Sequence, residues 1–133
     1  MATLVPTLTL TSSDLTSDSL SLTVTDSLTV TNPFIGPSKK ACNVNGGAKV
    51  DLDATGSANK YVFVKHSGYQ SDGSTATTNK LEVHLHDGSA ARDVMRLEAG
   101  EFAYFPLLAA AKVQVVSGSS QTILVEYAFY TKG

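Results

Sequence analysis

Leu8 and Leu10, then Leu20, Leu22, Val24, Leu28 and Val30, fall on even positions with Ser, Thr and Asp between them. That two-residue period belongs to an extended chain with one apolar edge and is incompatible with a helix. The stretch that carries it stands apart in composition. Of residues 1–31, fifteen are Ser or Thr and three are Asp, while Lys, Arg, Gly and aromatic residues are missing. So narrow an apolar edge cannot enclose a core alone and needs a sheet edge to pair with, either in its own domain or in a neighbouring molecule. The start Asp18-Ser19-Leu20 returns eight residues later as Asp26-Ser27-Leu28. This period is far below that of a stacked repeat and reads as local β patterning.

Asn32-Pro33-Phe34-Ile35-Gly36-Pro37 is expected to break any ladder, because each proline lacks an N–H and restricts the residue before it. A Pro/Gly-containing linker over residues 32–48 follows from this. Beyond it, β-like runs alternate with turn residues: Ala48 to Asp53, Lys60 to His66, Lys80 to His86, Asp93 to Leu97, Phe102 to Leu107, Lys112 to Val116 and Gln121 to Tyr130. Thr55-Gly56-Ser57, Asp72-Gly73, Asp87-Gly88 and Ser117-Gly118 mark the turns. Leu107 to Lys112 is alanine-rich but spans less than two helical turns, so it is a corner at most. Ile123, Val125, Tyr127 and Phe129 share one face, which predicts a central last strand. The fold class expected is all-β: a jelly-roll-like antiparallel β-sandwich over residues 49–133, with residues 1–31 forming either an extended Thr/Ser-rich N-terminal β arm or the first strands of the same sandwich.

A chain of 133 residues with this apolar content forms one ordinary domain. Ten Lys and Arg against twelve Asp and Glu give a net charge of −2, which removes the general attraction to a polyphosphate backbone, so no nucleic-acid partner is expected. Apolar runs such as Phe102 to Ala111 are too short to cross a bilayer, and the N-terminus lacks the basic start and apolar block of a cleaved signal. Neither a membrane partner nor signal-dependent export is therefore expected. Cys42 is the only cysteine. One thiol makes no internal disulfide and no thiolate zinc site, and Cys42 reads as a small buried hydrophobe or a passive loop residue.

Candidate chemistry is sparse. His84 and His86 point to one face of an extended strand, as a metal pair would, and a jelly roll with such a pair resembles the cupin metal enzymes. The cupin pattern wants a Glu shortly afterwards and a later His, whereas Asp87-Gly88-Ser89 follows here and His66 is the only further histidine. Leu81, Val83 and Leu85 take the buried face, which sets both histidines on the solvent side beside Glu82. Asp51 and Asp53 are too few oxygens for a calcium loop. No nucleophile elbow, phosphate loop or dinucleotide fingerprint is present. Catalytic residues, metal ligands and cofactors are accordingly all read as none. Tyr61, Tyr104, Tyr127 and Tyr130 lie in apolar strands where core packing accounts for them. Tyr69, in the loop from Gly68 to Asn79, is the free ring that would contact a glycan. Lys39-Lys40 reads as a solvated loop. The arm's apolar edge, Leu8, Leu10, Leu20, Leu22, Val24, Leu28 and Val30, is the candidate assembly interface.

In Thr7-Leu8-Thr9-Leu10-Thr11-Ser12-Ser13-Asp14, Asp26-Ser27-Leu28-Thr29-Val30-Thr31, Lys60 to Gly68 and Leu97 to Leu107, the sequence resembles small virion proteins of tailed bacteriophages, notably those of marine bacteria and cyanobacteria. These segments touch about two thirds of the chain and contain no catalytic motif. The resemblance implies a non-enzymatic particle component, first a capsid decoration or cement protein present in many copies or as a homo-oligomer. The partners it implies are the major capsid protein or other virion proteins, and the location is the virion, assembled in the host cytoplasm. A tail, neck or fibre component with a glycan-binding sandwich is the alternative, and a cupin-like metal-binding enzyme is the third.

Overall fold

The computed structural model describes residues 1–15, 17–52 and 58–133, and every regular element among them is a β-strand. Three short N-terminal strands, Ala2–Leu4 (β1), Thr7–Ser12 (β2) and Leu20–Thr25 (β3), precede the long Leu28–Cys42 (β4). Val50–Asp51 (β5), Lys60–His66 (β6), Leu81–His86 (β7) and Ala91–Leu97 (β8) follow. Phe102–Leu107 (β9), Lys112–Ser117 (β10) and Ile123–Lys132 (β11) complete the chain. All ladders are antiparallel. One sheet has the order β1-β4-β11-β6-β9 and the other β5-β10-β7-β8, while β2 and β3 form a separate hairpin. Four of the pairings nest: β4 with β11, β5 with β10, β6 with β9 and β7 with β8. Asp87-Gly88 is the turn at the centre of that nest, where Gly88 takes the left-handed φ of 95° that side chains resist.

The two larger sheets close on one core. Its members come from alternate positions of facing strands, Val62 and Val64 of β6, Ile123 and Val125 of β11, Leu81 and Val83 of β7, and Val113 and Val115 of β10, all fully buried. The expected period of two is thereby realised strand by strand, and β11 is central to its sheet. Cys42 lies in the same core opposite Ile123, and burial pushes its thiol above the ordinary value. Between Leu107 and Lys112, residues 108–111 form a turn, with the Ala111 N–H donating to the Leu108 carbonyl at 3.1 Å.

Residues 32–42 of the segment expected to be a linker are strand instead, and residues 43–48 turn the chain towards β5. The β4–β11 ladder runs through the strand part with two register shifts. Gly36-Pro37 is the surplus where Tyr127 faces Ser38 and Phe129 faces Ile35; Asn32-Pro33 is the surplus where Tyr130 faces Phe34 and Thr131 faces Thr31. Each proline thus sits in a bulge, the place in a ladder where a missing N–H costs least. Strand β4 also crosses the expected boundary after residue 31, and β1 pairs with its first residues, Ala2 opposite Val30 and Leu4 opposite Leu28. The N-terminal stretch is therefore divided: its two ends belong to the sandwich sheet and its middle stands off as the β2–β3 hairpin.

Burial separates these parts energetically. Removing the fully buried Ile123 side chain leaves a cavity, and Ile123→Ala is expected to cost about 2–5 kcal/mol in urea unfolding. Leu22→Ala, on the hairpin at 43% exposure, is expected to cost less than about 1 kcal/mol in the same measurement.

Candidate functional site

The hairpin separates its side chains cleanly. Leu8 faces Val24, Leu10 faces Leu22 and Ser12 faces Leu20, while Thr7, Thr9 and Thr11 face Thr25, Thr23 and Ser21. One face is thus apolar and the other a hydroxyl ladder, with the Thr7 and Thr25 hydroxyls 3.2 Å apart. A two-stranded ribbon by itself is marginal in water, and the apolar face is left largely uncovered: Leu8, Leu10, Leu22 and Val24 are all exposed. Leu20 and Leu28 are half-buried. Val30 is buried inside the β1–β4–β11 sheet, so it packs the sandwich and is not available to a partner. At the hairpin's base the Asp26 N–H donates to the Pro6 carbonyl at 3.2 Å.

Next to that base the sandwich presents aromatic rings. On β6 and β9, Tyr61 and Phe63 stand opposite Pro106 and Tyr104, and Lys65 opposite Phe102, on the face turned away from the core. Tyr61 stacks with Tyr104 at 6.3 Å between ring centres, Phe63 lies 6.2 Å from Phe102, and the Lys132 ammonium sits 4.8 Å over the Tyr61 ring. Phe102 and Tyr104 remain exposed. Burial first, then the Tyr61, Asp26 and Tyr130 side chains, push the Tyr104 phenol above its ordinary value. Between this stripe and the hairpin base lies an apolar groove of about 670 Å³, walled by Leu8, Val24 and Leu28 on one side and Tyr61, Phe102, Tyr104 and Pro106 on the other. The core assignment thus fails for Tyr61, Tyr104 and Tyr130, which lie on the outer face, Tyr130 directly opposite Tyr61, whereas Tyr127 does pack against the core. β6 and β9 are apolar on both faces, so alternation could not tell which set would point inward.

The outer face of the other sheet is polar. Asp51 accepts from Gln114 Nε2 at 2.6 Å and lies 3.6 Å from Lys112, and Arg96 bridges Glu82 and Asp93 at 3.4 and 3.1 Å. His84 and His86 lie on this face as the alternation predicts, but His84 is buried at 7% exposure between its cross-strand neighbours Gln114 and Asp93. Its Nε2 is 3.6 Å from a Glu82 oxygen, beyond hydrogen-bond range, and neither ring nitrogen has a hydrogen-bond partner. His66 is buried on the core side of β6. Its Nδ1 accepts from the Gly68 N–H at 2.9 Å, so Nε2 carries the proton and donates to the Asn79 carbonyl at 2.8 Å. The ring thus ties together both ends of the 68–79 loop. Among the described residues no three His, Cys, Asp or Glu side chains converge as a metal site would require. Asp53, proposed beside Asp51, lies outside the described residues, as does the Thr55-Gly56-Ser57 turn. Lys39 and Lys40 lie on β4, not in a loop, and Lys39 pairs with Glu126 at 3.2 Å.

Tyr69 is exposed, but its backbone is fixed: its carbonyl accepts the Leu124 N–H at 2.9 Å and it forms an isolated bridge with Ala76. Among the described residues no second ring pairs with it to make a stacking platform. The same loop is held by Asp72. Its carboxylate accepts the Thr75 hydroxyl and, at 2.9 Å each, the Ser74 and Thr75 N–H groups, which lowers it from 3.8 to about 2. Asp87 does the same for Ser89 and Ala90 in the β7–β8 turn.

A carboxyl held lower in the folded chain stabilises the loop above its ordinary range, and that contribution is lost as pH falls from about 4 towards about 2. In a carboxyl-detected NMR titration Asp72 is expected to titrate near 2, and Thr75→Val, which removes the strongest acceptor contact, to move it up towards 3.8. Compared with known proteins, the chain matches no family model and no curated protein.

Proposed function

We propose that this protein is a non-enzymatic structural component of a tailed-phage virion, a capsid decoration or cement protein that joins its neighbours through the β2–β3 hairpin. The observation carrying this reading is the hairpin's uncovered face, where Leu8, Leu10, Leu22 and Val24 are all exposed on a two-stranded ribbon. Exposed apolar surface on a projecting element is the physical signature of a contact made elsewhere, because its burial is favourable and a lone ribbon gains order from it. The adjoining aromatic groove extends that surface onto the sandwich. The nested pairing β4·β11, β5·β10, β6·β9 and β7·β8 supports a jelly-roll description of the sandwich, an architecture found in shell proteins.

On this reading the partners are the major capsid protein or other virion proteins, the protein acts in many copies in the virion, and its action is mechanical. Burial of the hairpin across a subunit boundary opposes outward pressure on the shell. Because the Asp26 N–H already reaches the Pro6 carbonyl, residues 7–25 can be replaced by an Asn-Gly turn without moving the flanking strands. The full chain is expected to co-sediment with shells of the major capsid protein co-expressed from the same genome. The shortened chain is expected to keep its melting temperature within a few degrees and remain in the supernatant. Normal incorporation of the shortened chain would refute the hairpin's role, and catalytic turnover by the isolated chain would refute the structural reading.

A further inference from the structure

The hairpin and the aromatic stripe are two incompletely covered apolar surfaces of one chain. Only the proximal pair, Leu8 and Val24, lines the groove beside the stripe; the distal Leu10, Leu20 and Leu22 do not. The charges complement one another. Residues 1–31 carry three Asp and no Lys or Arg, leaving ten Lys and Arg against nine Asp and Glu in the rest of the chain. Beyond the apolar face the hairpin turn bears Asp14. The stripe is bordered at one end by Lys39 and Lys65, which share the single Glu126 carboxylate, and at the other by Lys132.

We propose that the distal half of the β2–β3 hairpin of one copy, presenting Leu10, Leu20 and Leu22, docks into the groove of a second copy beside Tyr61, Phe102 and Tyr104, with its acidic turn towards Lys39 and Lys65. The docking part and the receiving part are different surfaces of the same chain, so the contact is head-to-tail, and repetition closes a ring if the rotation permits. The inference rests on the assembly reading above and names its neighbour, a second copy of this chain. Charge complementarity sets the direction of the hairpin and makes the association stronger at low salt.

Sedimentation velocity of the full chain, up to ~100 μM to exceed the dissociation constant of an ordinary interface, tests this. The wild-type mass is expected to rise above the 14.0 kDa of one chain. Leu22→Asp disables the docking part and Phe102→Asp the receiving part, each raising the dissociation constant at least ~30-fold. Both residues are exposed, so thermal melting of the sandwich should be unchanged. An equimolar mixture of the two variants is expected to recover a two-chain species, since one supplies an intact hairpin and the other an intact groove. As a check independent of the aspartates, a Leu22→Cys chain mixed with a Phe102→Cys chain should give a mixed disulfide on oxidation, Cys42 being buried. A monomeric wild type, variants that associate normally, a mixture that stays monomeric or a missing mixed disulfide would each overturn the proposal. A monomer that still co-sediments with shells would end this docking and leave the assembly reading intact, whereas a self-associating chain that ignores shells would do the reverse.

Discussion

The ladder between β4 and β11 is the contact on which the rest depends. It joins residues 30–42 to residues 123–132, so forming it encloses nearly every other strand of the sandwich. The entropy of closing so long a loop is recovered only when the inward residues of β11, Ile123, Val125 and Phe129, meet the opposite sheet. A fold dominated by pairings this distant in sequence is expected to form slowly and as a unit. The two proline-bearing bulges are tolerated in the ladder because it continues on both sides of each.

The sandwich is asymmetric on its outside. One sheet turns out charged and hydrogen-bonded groups, Asp51, Lys112, Gln114, Glu82, Arg96 and Asp93, which satisfy one another. Its edge strand β8 carries Arg92, Asp93 and Arg96, the charged protection typical of a strand that must not pair further. The other sheet turns out rings, and its edge strand β9 has no charged residue between Phe102 and Leu107. The exposed rings Phe102 and Tyr104 therefore lie on the side of the protein where the hairpin is attached.

Much of this could be read from the sequence, for identifiable reasons. Strands β7 and β10 were legible because Leu81 and Val83 alternate with Glu82 and His84, and Val113 and Val115 with Lys112 and Gln114, and the runs of β6, β7, β8 and β10 each end at a Gly-containing turn. The hairpin's apolar face was legible in the even positions of its leucines. Strand order was not, because periodicity reports which residues point inward and is silent on which strands are neighbours. Proline at 33 and 37 suggested a break where the chain makes bulges, since the missing N–H is identical in both cases and only the partner strand decides. The aromatic stripe was hidden by its own composition: where Tyr61 and Tyr104 alternate with Val62 and Ala103 or Phe105, both faces look like core. His84 lay on the face expected, yet its burial arises from cross-strand neighbours that no local pattern specifies.

Cys42 occupies the far end of the closing ladder, opposite Ile123, and is shielded from solvent. Its thiol is thereby a built-in chemical clock for the zipper: a labelling reagent reaches the sulfur only when the first and last thirds of the chain come apart at that end. The rate of modification would then register the opening of that end of the ladder, with no residue substituted.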